Sequence, residues 1–342
     1  MAQQSELPLI TLIAGDGIGP EVIQAARQVL TAVGFRARYQ ELEAGYGCFE
    51  RCGRPLPPET LEAARRADAV LFGAVTTPAE LPDYPSVILT LRRELGLYAN
   101  LRPFRTVPGL GRYGDEEIDL LIVRENTEGL YLQIGWREED RAYNLLRRSE
   151  PASRRILHLA FREATRRRGR LTIAHKANVI KPADLLWIEI AREVARDYQV
   201  DWSLEIVDAL CMKLVRDPGR FDLIVAPNFY GDFLSDLLAG VVGSLGICPS
   251  ANLGAKHALF EPVHGSAPDI AGQGSANPIG AILSGALMLD HLGQSQKAQM
   301  IRRAVDRALQ GPIKTPDLGG QAGTRELTEA VIAALHGEGG QG

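Results

Sequence analysis

Cysteine and histidine are scarce in this chain, and it has no apolar run of membrane-spanning length. Its 342 residues include four cysteines and six histidines. Cys48, Cys52, Cys211 and Cys248 form no C-x-x-C pair and have no histidine cluster beside them, so a structural zinc site is not expected. They read instead as reduced, mostly buried thiols. The longest apolar stretch, Leu237 to Cys248, falls well short of the ~18 residues that span a bilayer. The amino terminus also lacks a basic-then-apolar leader pattern. A cytoplasmic protein with no membrane partner is expected. The net charge of −4 is spread over mixed-sign segments, which offers nucleic acid no hold. The arginine-dense stretch Arg162, Arg166, Arg167, Arg168 and Arg170 reads as the end of a helix, where cations suit both dipole and solvent.

What the chain does contain is βαβ rhythm. Strand-like and helix-period segments alternate: Leu9 to Ala14, Pro20 to Val33, Arg36 to Ala44, Pro58 to Ala67, Ala69 to Phe72. A mostly parallel sheet follows. After Leu97 the strand candidates Asp119 to Val123, Arg170 to Ala174 and Leu204 to Asp208 are separated by long helices, which suggests a second α/β unit. Helices rich in small apolar residues, Pro278 to Leu292 and Lys297 to Leu309, close the pattern, and a Gly-rich tail follows His336. With 45% hydrophobic content the chain can build one large or two ordinary cores.

Five places carry candidate chemistry. Asp232 and Asp236 follow the apolar strand Phe221 to Ala226 at the start of a helix, and their i, i+4 spacing puts two hard oxygen ligands on one face. Asp208 is a third acid, ending another apolar stretch. Arg92, Arg102 and Arg124 stand at the ends of apolar segments, where guanidinium forks suit a substrate with two or three carboxylates. Lys176, in His175-Lys176-Ala177-Asn178, follows a strand, and its pKa could be lowered enough for a general base. The segment from Glu261 to Gly272 reads as a loop of small residues able to approach a phosphate or adenine closely. In that loop Asp269 could accept from both ribose hydroxyls of NAD and would repel the 2′-phosphate of NADP. Gly15-Asp16-Gly17-Ile18-Gly19-Pro20 has glycine spacing that departs from a dinucleotide fingerprint, and a tight strand-to-helix turn explains it equally well.

Taken together, these segments resemble the β-decarboxylating dehydrogenases, a family that includes isocitrate, isopropylmalate, homoisocitrate and tartrate dehydrogenases. The resemblance runs in unbroken order from about Leu9 to Leu335. It implies a non-Rossmann, two-domain α/β fold: a large cofactor-binding domain from residues 1–97 and 244–342, and a small central domain from 98–243 that carries the dimer interface. It also implies that Gly15 to Gly19 is not the main cofactor cradle. Arg92, Arg102 and Arg124 would grip a malate moiety, with Asn178 also at the substrate. Asp232 and Asp236 would hold Mg²⁺ or Mn²⁺ with Asp208 of the partner subunit, and Lys176 would likewise act across a homodimer or tetramer. Tyr131 matches the catalytic tyrosine. His264, Gly265, Ser266, Ala267, Asp269, Ile270 and Asn277 would bind the adenosine of NAD, with Glu261 and Thr77 near the nicotinamide.

The substituent on the malate is read just ahead of Arg92, and there the residues leave alternatives open. Ile88 and Leu89 resemble the aliphatic pair that holds an isopropyl group, whereas Ser86 resembles a serine that binds a distal carboxylate. Three segments favour homoisocitrate: Ser86 to Leu97 and Ile313 to Gly320 are similar to homoisocitrate enzymes, and Arg124 to Glu128 departs from the usual isopropylmalate form. The expected reaction is therefore NAD-dependent oxidative decarboxylation of homoisocitrate to 2-oxoadipate in lysine biosynthesis, with isocitrate as a second substrate and 3-isopropylmalate as the alternative. A metal-dependent hydrolase or phosphatase using the same aspartates would leave the arginines and the His264 to Asp269 loop unexplained. A silent regulatory subunit fits poorly with the presence of Lys176, Tyr131 and all three aspartates.

Overall fold

The computed structural model describes residues 7–81, 83–111 and 117–337, so the tail beyond Gly337 lies outside the described residues. The chain divides into two compact units. One comprises Met1–Gly96, Val107–Gly109 and Ser244–Gly342; the other comprises Leu97–Thr106 and Leu110–Gly243.

The first unit begins with β1 (Leu9–Gly15), α1 (Gly19–Ala32), β2 (Arg38–Leu42), α2 (Tyr46–Cys52), α3 (Pro58–Arg66), β3 (Ala69–Ala74) and α4 (Val87–Glu94). β1 pairs in parallel with β2 and β3. Every residue of β3 is buried, as expected of an interior parallel strand covered on both faces. α1 starts where Pro20 pre-sets φ for the first turn, and it buries Val22, Ile23, Ala26, Val29 and Leu30 along one stripe. α2 was not foreseen: the segment was expected to be strand as far as Ala44, but β2 stops at Leu42 and Gly45, at φ 115°, turns the chain into the helix.

The second unit holds β4 (Ala99–Arg105), β5 (Asp119–Glu125), the hairpin β6 (Gly135–Glu138) and β7 (Arg141–Asn144), α5 (Glu150–Thr165), β8 (Arg170–His175), α6 (Lys181–Val194), β9 (Asp201–Ile206), α7 (Val207–Arg216), β10 (Leu223–Ala226) and α8 (Asn228–Val242). Its sheet runs β4-β5-β10-β8-β9, with β4 antiparallel to β5 and the other pairings parallel. Val123, Ile156, Phe161, Ile173, Trp187 and Val225 belong to its core. Asp208, expected at the end of a strand, instead lies in the first turn of α7 because β9 ends at Ile206.

The chain then returns to the first unit with β11 (Pro249–Leu253), β12 (Ala258–Pro262), α9 (Ile279–His291), α10 (Ser295–Gln310) and α11 (Thr324–His336). β12 pairs in parallel with β3, and Leu259 meets Val70. Glu261, read from sequence as a loop residue, is a buried strand residue opposite Ser250. No helix among the described residues is long and apolar enough to cross a membrane.

Candidate functional site

Sheet register explains the grouping of charged residues in the second unit. Arg124, near the end of β5, lies between Asn100 of β4 and Ala226 of β10. Arg102 is two residues further along β4, so it stands within a strand and not at an apolar segment's end. Pro227 then turns the chain into α8, whose first residues face these arginines. Asn228 bridges two neighbours, accepting from Arg124 Nε at 3.0 Å and donating to the Glu128 carbonyl at 3.1 Å.

Asp232, one turn on, receives the guanidinium groups. Arg124 Nη1 donates to Asp232 Oδ1, Arg102 Nη1 reaches the same oxygen at 3.4 Å, and the Tyr131 hydroxyl donates to Oδ2. The Arg124 guanidinium also lies 4.9 Å from the Tyr131 ring centroid, within cation–π range. Arg102 Nε is held by Asn100 Oδ1 at 2.6 Å. Both arginines are buried, so each must be neutralised by an acceptor, and a carboxylate performs that role here. Burial raises the Tyr131 pKa, which Arg124 opposes and Asp232 reinforces; the phenol therefore stays protonated and able to donate.

Asp236 is on the same face of α8 as Asp232. The residue is solvent-exposed, yet partial enclosure of its carboxyl raises its pKa, with the Asp232 charge adding to that effect. A divalent cation would relieve the crowding, and paired carboxylates are a suitable donor set for Mg²⁺ or Mn²⁺. No group of three histidine, cysteine or acidic side chains gathers as a metal site among the described residues. Asp208 pairs instead with Lys176, Nζ to Oδ1 at 2.6 Å, and that bond holds its pKa below the usual carboxylate value. The pairing follows from register: His175 of β8 faces Ile206 of β9, so both strands deliver the next residues to one place. Within one chain the lysine's partner is thus this carboxylate. Asn178 is exposed in the turn after Lys176.

Two buried groups support this region. Arg148 Nη2 pairs with Asp184 Oδ1 at 2.8 Å, and Asp184 Oδ2 accepts from the Lys176 backbone N–H and the Tyr230 hydroxyl. Arg148 and Asp184 are 36 residues apart and carry no local signal, so sequence reasoning could not pair them. The arginine-dense stretch expected to face solvent is also partly built in: Arg167 Nε pairs with buried Asp222 at 2.8 Å.

In the first unit, Arg92 lies in the last turn of α4 and is buried. Its Nη2 reaches Glu261 Oε1 at 3.3 Å, an oxygen that also accepts from Asn252 Nδ2 at 2.8 Å. Arg92 Nε is buried without a hydrogen-bond partner, a donor left for an acceptor. Ser86 occupies the N-cap position of α4 without making a capping bond, and Ile88 and Leu89 are half-buried one turn before Arg92.

The expected adenosine segment is an ordered loop. Ser266 is buried, its hydroxyl bonded to Thr76 Oγ1 at 2.7 Å and its carbonyl accepting from Ile18 N–H at 2.9 Å. A Cβ on Gly17 would meet that carbonyl at 1.9 Å, so the glycine turn clamps the loop. Ala267 takes φ 39°, which turns the chain sharply beside Gly265 and Pro268. His264 Nδ1 lies 2.9 Å from the Gly265 carbonyl, while Nε2 is buried without a partner; burial lowers its pKa. Asp269 and Thr77 are exposed and Ile270 half-buried. Asn277 is committed internally, accepting from Ile279 N–H and donating to Asp317 Oδ2, both at 3.0 Å. Asp317 sits in the segment compared above with homoisocitrate enzymes, and it also receives the Ser244 hydroxyl.

Over residues 9–331 the chain matches the family described as isocitrate/isopropylmalate dehydrogenase. It is 51% identical over 331 residues to an isocitrate/homoisocitrate dehydrogenase of Thermus thermophilus, covering 95% of this chain and 98% of that one. It is 45% identical to a 3-isopropylmalate dehydrogenase of Archaeoglobus fulgidus, covering 95% and 99%. The crystal structure of isocitrate dehydrogenase from Methylococcus capsulatus superposes with a TM-score of 0.92 at 41% identity, covering 96% and 99%. This α/β chain is therefore a dehydrogenase. It belongs to the isocitrate/isopropylmalate dehydrogenase family, whose members are β-decarboxylating enzymes.

Proposed function

We propose that the protein catalyses NAD-dependent oxidative decarboxylation of homoisocitrate to 2-oxoadipate in lysine biosynthesis, as a cytoplasmic homodimer, with isocitrate as a second substrate. The observation that carries this reading is Asp232 itself. A carboxylate is gripped by Arg102, Arg124 and Tyr131 together, so these side chains suit a substrate carboxylate. Arg92, with its unpartnered buried Nε, supplies a further acceptor-seeking group in the first unit.

The residues fit the groups the reaction needs. Asp232 and Asp236 would hold Mg²⁺ or Mn²⁺ with Asp208 of the partner subunit, and the ion would supply Lewis acidity at the hydroxyl and developing carbonyl. The loop from His264 to Ile270, with Thr77, Glu261 and Asn277, would hold NAD⁺, the hydride acceptor; buried His264 Nε2 and the close backbone turn at Ala267 support this. Lys176 would take the hydroxyl proton. Tyr131, kept protonated by burial, would return a proton to the carbon that loses CO₂. Dimerisation is supported by Asp208, which pairs with Lys176 and does not gather with Asp232 and Asp236 as a metal site on a single chain among the described residues. It is also supported by exposed apolar side chains on α6, α7 and α8, namely Leu185, Met212, Val215 and Phe233.

The half-buried Ile88 and Leu89 favour a second reading, 3-isopropylmalate oxidation, because they offer an aliphatic surface ahead of Arg92. Measuring NAD⁺ reduction with Mg²⁺ and homoisocitrate, isocitrate, 3-isopropylmalate or D-malate, as kcat/KM, separates the two. Highest kcat/KM for homoisocitrate upholds the first reading, and highest for isopropylmalate replaces it with the second. In the same assay Asp269→Lys should shift preference toward NADP⁺; unchanged cofactor preference counts against the ribose role of Asp269.

A further inference from the structure

The short helix α2 holds two thiols in contact. Cys48 Sγ and Cys52 Sγ are 3.6 Å apart, four residues from each other along one helix face. Cys48 is buried and Cys52 exposed, and neither is in a disulfide. The sequence alone suggested scattered, mostly buried cysteines; the helix, unforeseen there, brings these two together.

We propose that Cys48 and Cys52 form a reactive dithiol that takes low-molecular-weight disulfides and closes to an intrahelical disulfide. In a regular helix, residues four apart have Cα atoms about 6 Å apart, within the range a disulfide spans. The sulfurs must approach by a further ~1.5 Å to reach bonding distance, which requires the last turn to relax. That turn is suited to relaxing. Cys52 is the final residue of a seven-residue helix, and Gly53 follows in the left-handed conformation at φ 72°. The Cys52 thiol already leans back on the Cys48 carbonyl at 3.1 Å.

The chemistry is a pair of exchanges. The exposed Cys52 thiolate attacks one sulfur of a disulfide such as oxidised glutathione, forming a mixed disulfide and releasing one glutathione thiolate. Cys48, as thiolate, then attacks the Cys52 sulfur and expels the second glutathione. Two electrons pass from the protein to the oxidant, and the two thiol protons leave to the released thiolates. Burial pushes the Cys48 thiol up to about 11, which makes Cys52 the entry point and Cys48 the resolving group.

Closure would reach further than α2. Phe49 stacks edge-on to Tyr84 with centroids 5.2 Å apart, and Tyr46 lies 6.1 Å from the same ring. Tyr84 is buried two residues before Ser86. Asp16 ties the start of α2 to Thr76, accepting from Tyr46, Gly47 and Thr76 N–H groups at 2.7 to 2.9 Å.

The test is equilibration of the full-length protein with oxidised glutathione, then acid quenching, thiol titration under denaturing conditions and trypsin mapping without reductant. Arg51 lies between the cysteines, so cleavage there leaves two peptides joined only if the disulfide has formed. Titratable thiols should fall from the four of the sequence to two, and dithiothreitol should restore them. Cys48→Ser should stop at a glutathione adduct on Cys52, and Cys52→Ser should resist modification. Near-ultraviolet circular dichroism of the tyrosines should change on closure and recover on reduction. A wild-type protein that keeps all its thiols, retains a stable glutathione adduct, or cross-links Cys52 to another chain would overturn the proposal. None of these readouts depends on dehydrogenase activity.

Discussion

Gly231 and Arg124 are fitted to one another through a side chain that is missing: a Cβ at Gly231 would stand 2.7 Å from Arg124 Cγ. The glycine is in the helix interior, where it costs conformational entropy, and the close approach of the arginine stem accounts for its presence. Gly231→Ala should push Arg124 away from Asp232. Overpacking of this kind costs ~1–3 kcal/mol of stability, and if Arg124 has its proposed role at the substrate carboxylate, its displacement costs about 100-fold in rate. Urea unfolding and kcat/KM together check this. Wild-type kcat/KM in a folded Gly231→Ala protein would show that the Arg124 position is not critical.

Asp184 is fully buried between Arg148, Tyr230 and the Lys176 backbone. Removing one partner of a buried ion pair strands the other, at about 3–5 kcal/mol. Asp184→Ala should therefore lower the urea midpoint strongly, while the double change Arg148→Met with Asp184→Leu should recover most of the loss. Equal instability of both variants would mean that Asp184 acts mainly through Tyr230 and Lys176.

The pH dependence of stability should have an acid-side slope from histidine. Burial lowers the His175 and His264 pKa values below the ordinary 6.5, although Asp184 and Glu205 oppose the shift at His175, and Asp317 and Glu261 oppose it at His264. In the unfolded chain these imidazoles take up protons first. Stability is therefore fully present above about pH 6.5 and falls as pH drops from there toward the lower folded values. Urea midpoints at about pH 8 and about pH 5.5 read this out, with the slope reduced in His175→Gln. Coincident midpoints would mean that neither histidine is effectively buried in solution.

Asp236 provides a metal test independent of turnover. Its raised pKa reflects enclosure of the carboxyl first and the neighbouring Asp232 charge second, and a bound cation would oppose both. Mg²⁺ or Mn²⁺ at 100-fold excess over Kd should stabilise the wild type by about 2.7 kcal/mol, read as a higher melting temperature, and more weakly at acid pH. Asp236→Asn should abolish most of that response. An undiminished response would move the cation elsewhere.

The α/β class and the order of most strands and helices were legible because buried parallel strands leave apolar runs, and α1 and α10 leave regular stripes. Asp232 and Asp236 announced themselves by i, i+4 spacing, and Arg124 by its place near a strand end. Asn228, which bridges Arg124 to a carbonyl, and Asn252, which shares the Glu261 carboxylate with Arg92, did not, because such an asparagine looks like any polar residue in one dimension. The Arg148–Asp184 pair was equally silent, since partner choice depends on how β8, α5 and α6 pack. Helix α2 was missed because its start is set by Gly45, whose Cβ position is filled by the carboxylate of Asp16, a residue distant along the chain that also accepts from Tyr46 N–H.

The discontinuous build of the first unit bears on the order in which the molecule can form during synthesis. The stretch Leu97–Gly243 supplies the whole of the second unit and can pack as soon as it emerges. β3 has no β12 neighbour, and the apolar stripe of α1 has no α9 against it, until the region beyond Ser244 has been made. The earlier-made part of the first unit is thus the one that must wait, carrying an open sheet edge, for partners made later in the same chain.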